Sequence, residues 1–88
     1  MYNLSIKQSL DKKFKKLARK DKELLKIIER KVNDILIDPH RFKTLRKPLQ
    51  NKHRVHIAGS FVLIYSVDEK EKIVTLLDFD HHDNIYES

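Results

Sequence analysis

Cysteine is absent from this chain, and its 88 residues include one glycine and two prolines. Without cysteine there can be no disulfide framework and no thiolate metal site, and the composition suits a reducing cytoplasm. So little glycine and proline leaves few forced breaks, so most of the chain is expected in regular elements. No uninterrupted apolar run approaches the roughly 18–20 residues of a membrane span, and the N-terminal stretch is not signal-like. A soluble, cytoplasmic protein without a membrane partner is expected. The length suits one domain, residues 1–88, with one modest core. A domain of this size is only marginally stable alone, so a tight partner would raise its apparent stability by mass action.

Charge is abundant and uneven. Through Val67 the chain holds 17 Lys and Arg against 6 Asp and Glu, a net +11. From Asp68 onward 2 Lys face 7 acids, a net −5. A basic body with an acidic end suggests a polyanionic partner, although a solvated charged face gives the same pattern.

Periodicity supplies the elements. Tyr2 to Lys7 alternates around Leu4 and Ile6 and predicts a short strand. Leu10, Phe14 and Leu17 recur at i, i+4, i+7 and predict a helix, with Ser9 as a plausible N-cap. Asp21 is a plausible cap for a second helix bearing Leu24, Leu25, Ile28, Val32, Ile35 and Leu36 on one broad face. That helix should end at Asp38, because the residue before Pro39 is pushed out of the α region. Arg41 to Asn51 is basic and aperiodic, and reads as a loop or frayed edge strand. From Lys52 the period is two, with Val55 and Ile57 facing one way and Arg54 and His56 the other. Ala58-Gly59-Ser60 predicts a turn. Phe61 to Val67 and Ile73 to Phe79 are nearly continuous apolar runs, as expected of central strands. Asp80 to Ser88 reads as a polar tail. The order β-α-α-β-β-β predicts an α+β domain whose mostly antiparallel sheet is covered on one face by a helical hairpin.

Four stretches in this order carry a resemblance: Leu45-Arg46-Lys47-Pro48-Leu49, His53-Arg54-Val55-His56-Ile57, Phe61-Val62-Leu63-Ile64-Tyr65, and Asp80-His81-His82-Asp83-Asn84-Ile85-Tyr86. Together with the element order they resemble the RelE/ParE superfamily of toxins across essentially the whole chain. The resemblance implies the microbial RNase-like RelE fold and a type II toxin held inactive by a cognate RelB-like antitoxin, with a heterotetramer as one assembly it allows. RelE-like members cleave mRNA in the ribosomal A site without a metal or other cofactor, whereas ParE-like members inhibit DNA gyrase. Two positions depart from the RelE-like pattern. Val62 stands where an arginine is frequent, and His81-His82 replaces a terminal His-Arg. These departures keep open a ParE-like gyrase inhibitor or a degenerate toxin that only binds its antitoxin.

Metal-free RNA cleavage needs a base for the 2′-hydroxyl, cations for the five-coordinate phosphate and an acid for the leaving 5′-oxygen. Arg54 and His56, two apart on one strand, can address the same phosphate, and Arg54 can donate to it twice through its planar fork. The resemblance places them where the family has two active-strand lysines. His81 and His82 follow the last strand as acid–base candidates, and His82 aligns with the family's terminal basic position. Tyr86 corresponds to the family's terminal tyrosine, which stacks on a base or assists proton transfer. Arg46, Lys47 and Lys52 are candidates for RNA backbone contacts. Lys12, Lys13, Lys15, Lys16, Arg19 and Lys20 coat the first helix and could meet ribosomal RNA or simply be solvated. Asp78, Asp80, His81, His82 and Asp83 also invite a metal reading, but neighbours on one strand end point in opposite directions, and no metal site is expected.

Overall fold

The computed structural model describes residues 1–42 and 52–86, with the Tyr86 side chain outside that set. The chain runs β1 (Asn3–Ile6), α1 (Gln8–Lys20), α2 (Lys22–Ile37), β2 (Lys52–Ile57), β3 (Phe61–Asp68), β4 (Ile73–His81) and α3 (His82–Tyr86). The strands form one sheet in the order β1-β4-β3-β2. β1 lies parallel to β4, and the other two pairings are antiparallel. The predicted element order is present. Two features correct the sequence reading at the C-terminal end. β4 extends two residues past Phe79, and the expected polar tail turns into α3.

The first helix also starts differently. Ser9 lies inside the first turn, and Lys7 occupies the cap without a side-chain hydrogen bond. The sheet sets this start. Lys7 N–H donates to the Leu76 carbonyl at 2.9 Å, while its own carbonyl accepts from Leu10 and Asp11 at 2.9 Å each. One residue thus ends the strand ladder and opens the helix. Asp21 caps α2 as expected, accepting from Leu24 N–H at 3.1 Å. α2 then presents Leu24, Ile28, Val32 and Ile35 inward. Asp38 follows it as the C-cap, and Pro39 cannot continue the helix. Of the predicted loop, the part from Lys43 to Asn51 lies outside the described residues.

The hairpin of α1 and α2 covers one sheet face. Leu10, Ile28 and Ile35 meet Val55, Ile57, Leu63, Tyr65, Val74, Leu76 and Phe79 in one buried cluster. Val62 and Ile64 occupy the opposite face and are nonetheless buried. α3 packs back on β3 and β4, so the central strand is covered on both sides as its apolar run predicts.

His53 belongs to the core face of β2, in step with Val55 and Ile57, and is buried. Its Nδ1 donates to the Phe42 carbonyl at 3.1 Å, and its ring stacks on Tyr65 with centroids 5.0 Å apart. The Tyr65 hydroxyl donates to the Pro39 carbonyl at 2.6 Å. Burial raises the phenol far above its ordinary range, so it stays a neutral donor.

A surface cluster ties the chain ends of this region together. Glu69 accepts from Tyr2, from Lys72 at 3.0 Å and from His40. The bond from Lys72, and next that from Tyr2, lower the Glu69 carboxyl to about 2 against an opposing desolvation effect. A depressed carboxyl stabilises the fold above its unfolded value of 4.5, and this contribution disappears as pH falls through about 2. We therefore expect Glu69→Gln to flatten the fall of the thermal midpoint between those pH values. Equal slopes for the variant and the wild type would remove this cluster from the acid response.

Candidate active site

The face opposite the hairpin is built in rows across three strands. Arg54 pairs with Ile64 and Ile64 with Asp78; His56 pairs with Val62 and Val62 with Asp80. Paired residues share a face. A basic strip on β2, an apolar centre on β3 and an acidic strip on β4 therefore lie side by side. Lys52 belongs to the same face of β2, one pleat from Arg54. A register shift between Ile64 and Tyr65 leaves Leu77 as the extra residue of β4, which keeps Asp78 and Asp80 on this face.

α3 completes the site. The His82 N–H donates to the Ser60 carbonyl at 2.8 Å, so the helix starts over the β2–β3 turn. In that turn Ala58 and Gly59 both adopt positive φ, at 52° and 79°. The reversal brings His82 against His56, their rings stacked with centroids 5.8 Å apart and 26° between planes. Arg54 and His56 from β2 and His82 from the start of α3 thereby share one face. About half of the His82 side chain is exposed, and His56 is exposed, so both remain open to a ligand.

Other candidates are placed differently. His81 pairs with Phe61 and contacts its ring edge-on, centroids 5.7 Å apart. Phe61 stacks on core Phe79, and His81 Nδ1 also lies 3.7 Å from Asp83 Oδ2, whose other oxygen is 3.5 Å from His82 Nδ1. Tyr86 closes α3 by its backbone, and Arg46 and Lys47 lie outside the described residues. Among the described residues no three His, Asp or Glu side chains converge to hold a metal ion.

The acidic strip is held by contacts that residue spacing did not single out. Asp80 Oδ1 accepts from His81 N–H at 2.7 Å and from the Asn84 amide at 3.0 Å, fastening α3 to the end of β4. These two bonds, the Asn84 one first, hold the Asp80 carboxyl below its ordinary value. Lys13 of α1 reaches Asp78 at 3.3 Å, Asp80 at 3.6 Å and the Phe79 carbonyl at 3.1 Å. Nothing in the local sequence distinguishes Lys13 from the five other cations on that helix. The Asp80–Asn84 pairing joins the end of β4 to α3, and with that helix unread the sequence carried no signal for it.

Residues 4–86 match the family described as the ParE toxin of type II toxin–antitoxin system, parDE. An uncharacterized protein of Methanosarcina mazei is 52% identical over 86 residues, covering 98% of this chain and 100% of that protein. A protein of Methanocaldococcus jannaschii bearing the name toxin RelE4 is also 52% identical over 86 residues, covering 98% of this chain and 92% of its own length. Among solved structures, the intact E. coli RelBE toxin–antitoxin complex superposes with a TM-score of 0.79 at 16% identity, over 92% of this chain and 96% of that one. The fold and the sequence agree on a small toxin of a type II toxin–antitoxin system. The chain belongs to the ParE toxin family, within the RelE/ParE superfamily, and is RelE-like.

Proposed function

We propose that this toxin is a ribosome-dependent endoribonuclease that cleaves mRNA in the A site, needs no metal, and is silenced by a RelB-like antitoxin. The observation that carries this reading is the His56–His82 stack beside Arg54 on the sheet face opposite the hairpin. Two imidazoles in contact can divide the proton transfers. One accepts the proton of the 2′-hydroxyl as its oxygen attacks phosphorus. The other donates a proton to the departing 5′-oxygen, leaving a 2′,3′-cyclic phosphate and a 5′-hydroxyl. Arg54 supplies the charge that stabilises the five-coordinate phosphate. Lys52, Arg46 and Lys47 hold the RNA backbone, and Tyr86 stacks on a base. His81 shares the Asp83 carboxylate with His82 and stands as the further acid–base candidate of this site.

The antitoxin reading has its own support. A groove of about 470 Å³ runs along the hairpin and β1, lined by apolar residues including Leu4, Phe14, Leu25, Val32 and Leu36. An amphipathic segment fits such a groove, and a structural neighbour was solved as a toxin–antitoxin complex. Acidic residues on that segment would complement the basic body and speed association.

Primer extension on programmed ribosomes, with purified protein and EDTA, tests the proposal. Cuts inside the A-site codon that vanish without ribosomes are expected. A protein that binds its antitoxin yet leaves the mRNA intact would return the chain to the gyrase-inhibitor or antitoxin-binding alternatives.

A further inference from the structure

The acids beside the candidate site pose a problem. Asp83 lies against His82, and Asp78 and Asp80 line the same sheet face two strands from Arg54 and His56, so where an RNA phosphate would have to arrive like charge opposes binding. The structure answers with a single cation from a distant element. Lys13 Nζ donates to Asp78 Oδ1 and the Phe79 carbonyl and lies in ion-pair range of Asp80 Oδ2, so one ammonium gathers three successive residues of β4. They meet it beyond the last pairing with β1, which ends at Ile6 opposite Leu76. The next residue, Phe14, packs on Phe79 with ring centroids 6.0 Å apart, which anchors this turn of α1 over the strand end. The two Asp80 oxygens divide the work: Oδ2 faces Lys13, while Oδ1 holds His81 N–H and the Asn84 amide of α3.

We infer that Lys13 is a positioning residue for His82, clasping Asp78 and Asp80 so that α3 stays seated and their charge is offset beside the reacting face. The chain of contacts is continuous, from Lys13 to Asp80, from Asp80 to Asn84 and the first turn of α3, and from His82 to His56. Lys13 touches no reacting atom in this scheme and acts through Asp80. The inference rests on the reading of His82 as part of the reacting face, and it deepens that reading. Its other lysine neighbours have different duties; Lys15, for example, pairs with Asp11 on its own helix.

Two variants test it in the full chain, Lys13→Gln and Lys13→Arg. The clasp is half-exposed, so Lys13→Gln should fold with an almost unchanged thermal midpoint. Amide exchange at His82, whose N–H bonds Ser60, should accelerate by about fivefold, while exchange at core amides such as Ile35 stays at the wild-type rate. Single-turnover cleavage on programmed ribosomes should slow about threefold or more at saturating toxin, and Lys13→Arg should restore both the exchange and the rate. Unchanged His82 exchange in Lys13→Gln would overturn the clasp whether or not the protein cleaves RNA. Accelerated His82 exchange, restored by arginine, in a protein whose His82→Ala variant cleaves at the wild-type rate would support the clasp and overturn the catalytic reading of His82.

Discussion

Replacing Arg54 with alanine is expected to lower A-site cleavage by about a hundredfold or more, the loss typical of removing one charge-stabilising donor from a transition state. The residue is half-buried on the face of β2 opposite the hairpin, paired with Ile64, and outside the buried cluster. Loss of rate should therefore come without loss of fold. Arg54→Lys keeps the charge and gives up the planar fork, so its rate should fall between the wild type and Arg54→Ala. His82→Ala and His56→Ala should each reduce the rate by about 10²- to 10⁴-fold, as general acid–base groups do. The double variant should lose much less than the product of the two single losses, because the stacked rings act as one unit. Single-turnover rates on programmed ribosomes decide this. Cleavage by Arg54→Ala within threefold of the wild type would remove this face from the chemistry.

Tyr65→Ala is expected to be the most damaging core change, at about 3–5 kcal/mol, because it removes a fully buried ring and leaves a cavity. The side chain joins three parts of the chain: it stacks on His53 of β2, donates to the Pro39 carbonyl after α2, and lies in the central strand. Tyr65→Phe keeps the ring and leaves that carbonyl without its donor, so it should cost about 1–3 kcal/mol. For a small domain whose total stability is about 5–15 kcal/mol, the alanine variant would be close to unfolded without its antitoxin. Urea titration with and without the antitoxin checks both expectations. A Tyr65→Phe midpoint equal to the wild type would show that the Pro39 bond adds nothing net.

The two experiments probe different faces of the same strand. β3 directs Leu63 and Tyr65 toward the hairpin and Val62 and Ile64 toward the candidate site. Val62 stands where the resemblance expects an arginine. In this chain it is buried between His56 and Asp80 in register, a position where an uncompensated charge would be expensive. On the proposed reading, the chemistry here depends on Arg54 and the imidazole pair, with no cation from β3.

Periodicity alone was enough to read α2, β2 and the two central strands, because each buries a regular set of apolar residues whose spacing matches its geometry. The alternation of β2 likewise showed that Arg54 and His56 share a face. It also carried the inward placement of His53, in step with Val55 and Ile57, although histidine alone does not advertise a core position. α3 was not legible. Five residues, polar apart from Ile85 and Tyr86, have too weak a propensity to specify a helix, and the sheet and the Asp80 contacts hold this one. Which of His81 and His82 meets His56 depended on the β4 register and the bond from His82 to Ser60. Lys13 was indistinguishable from its neighbours, since its three partners lie 65 to 67 positions away along the chain. Local spacing therefore determined the elements and their buried faces. The assembly of His56 with His82, and of Lys13 with the β4 acids, was decided only by tertiary structure, because contacts between remote segments depend on register and packing that no local pattern encodes.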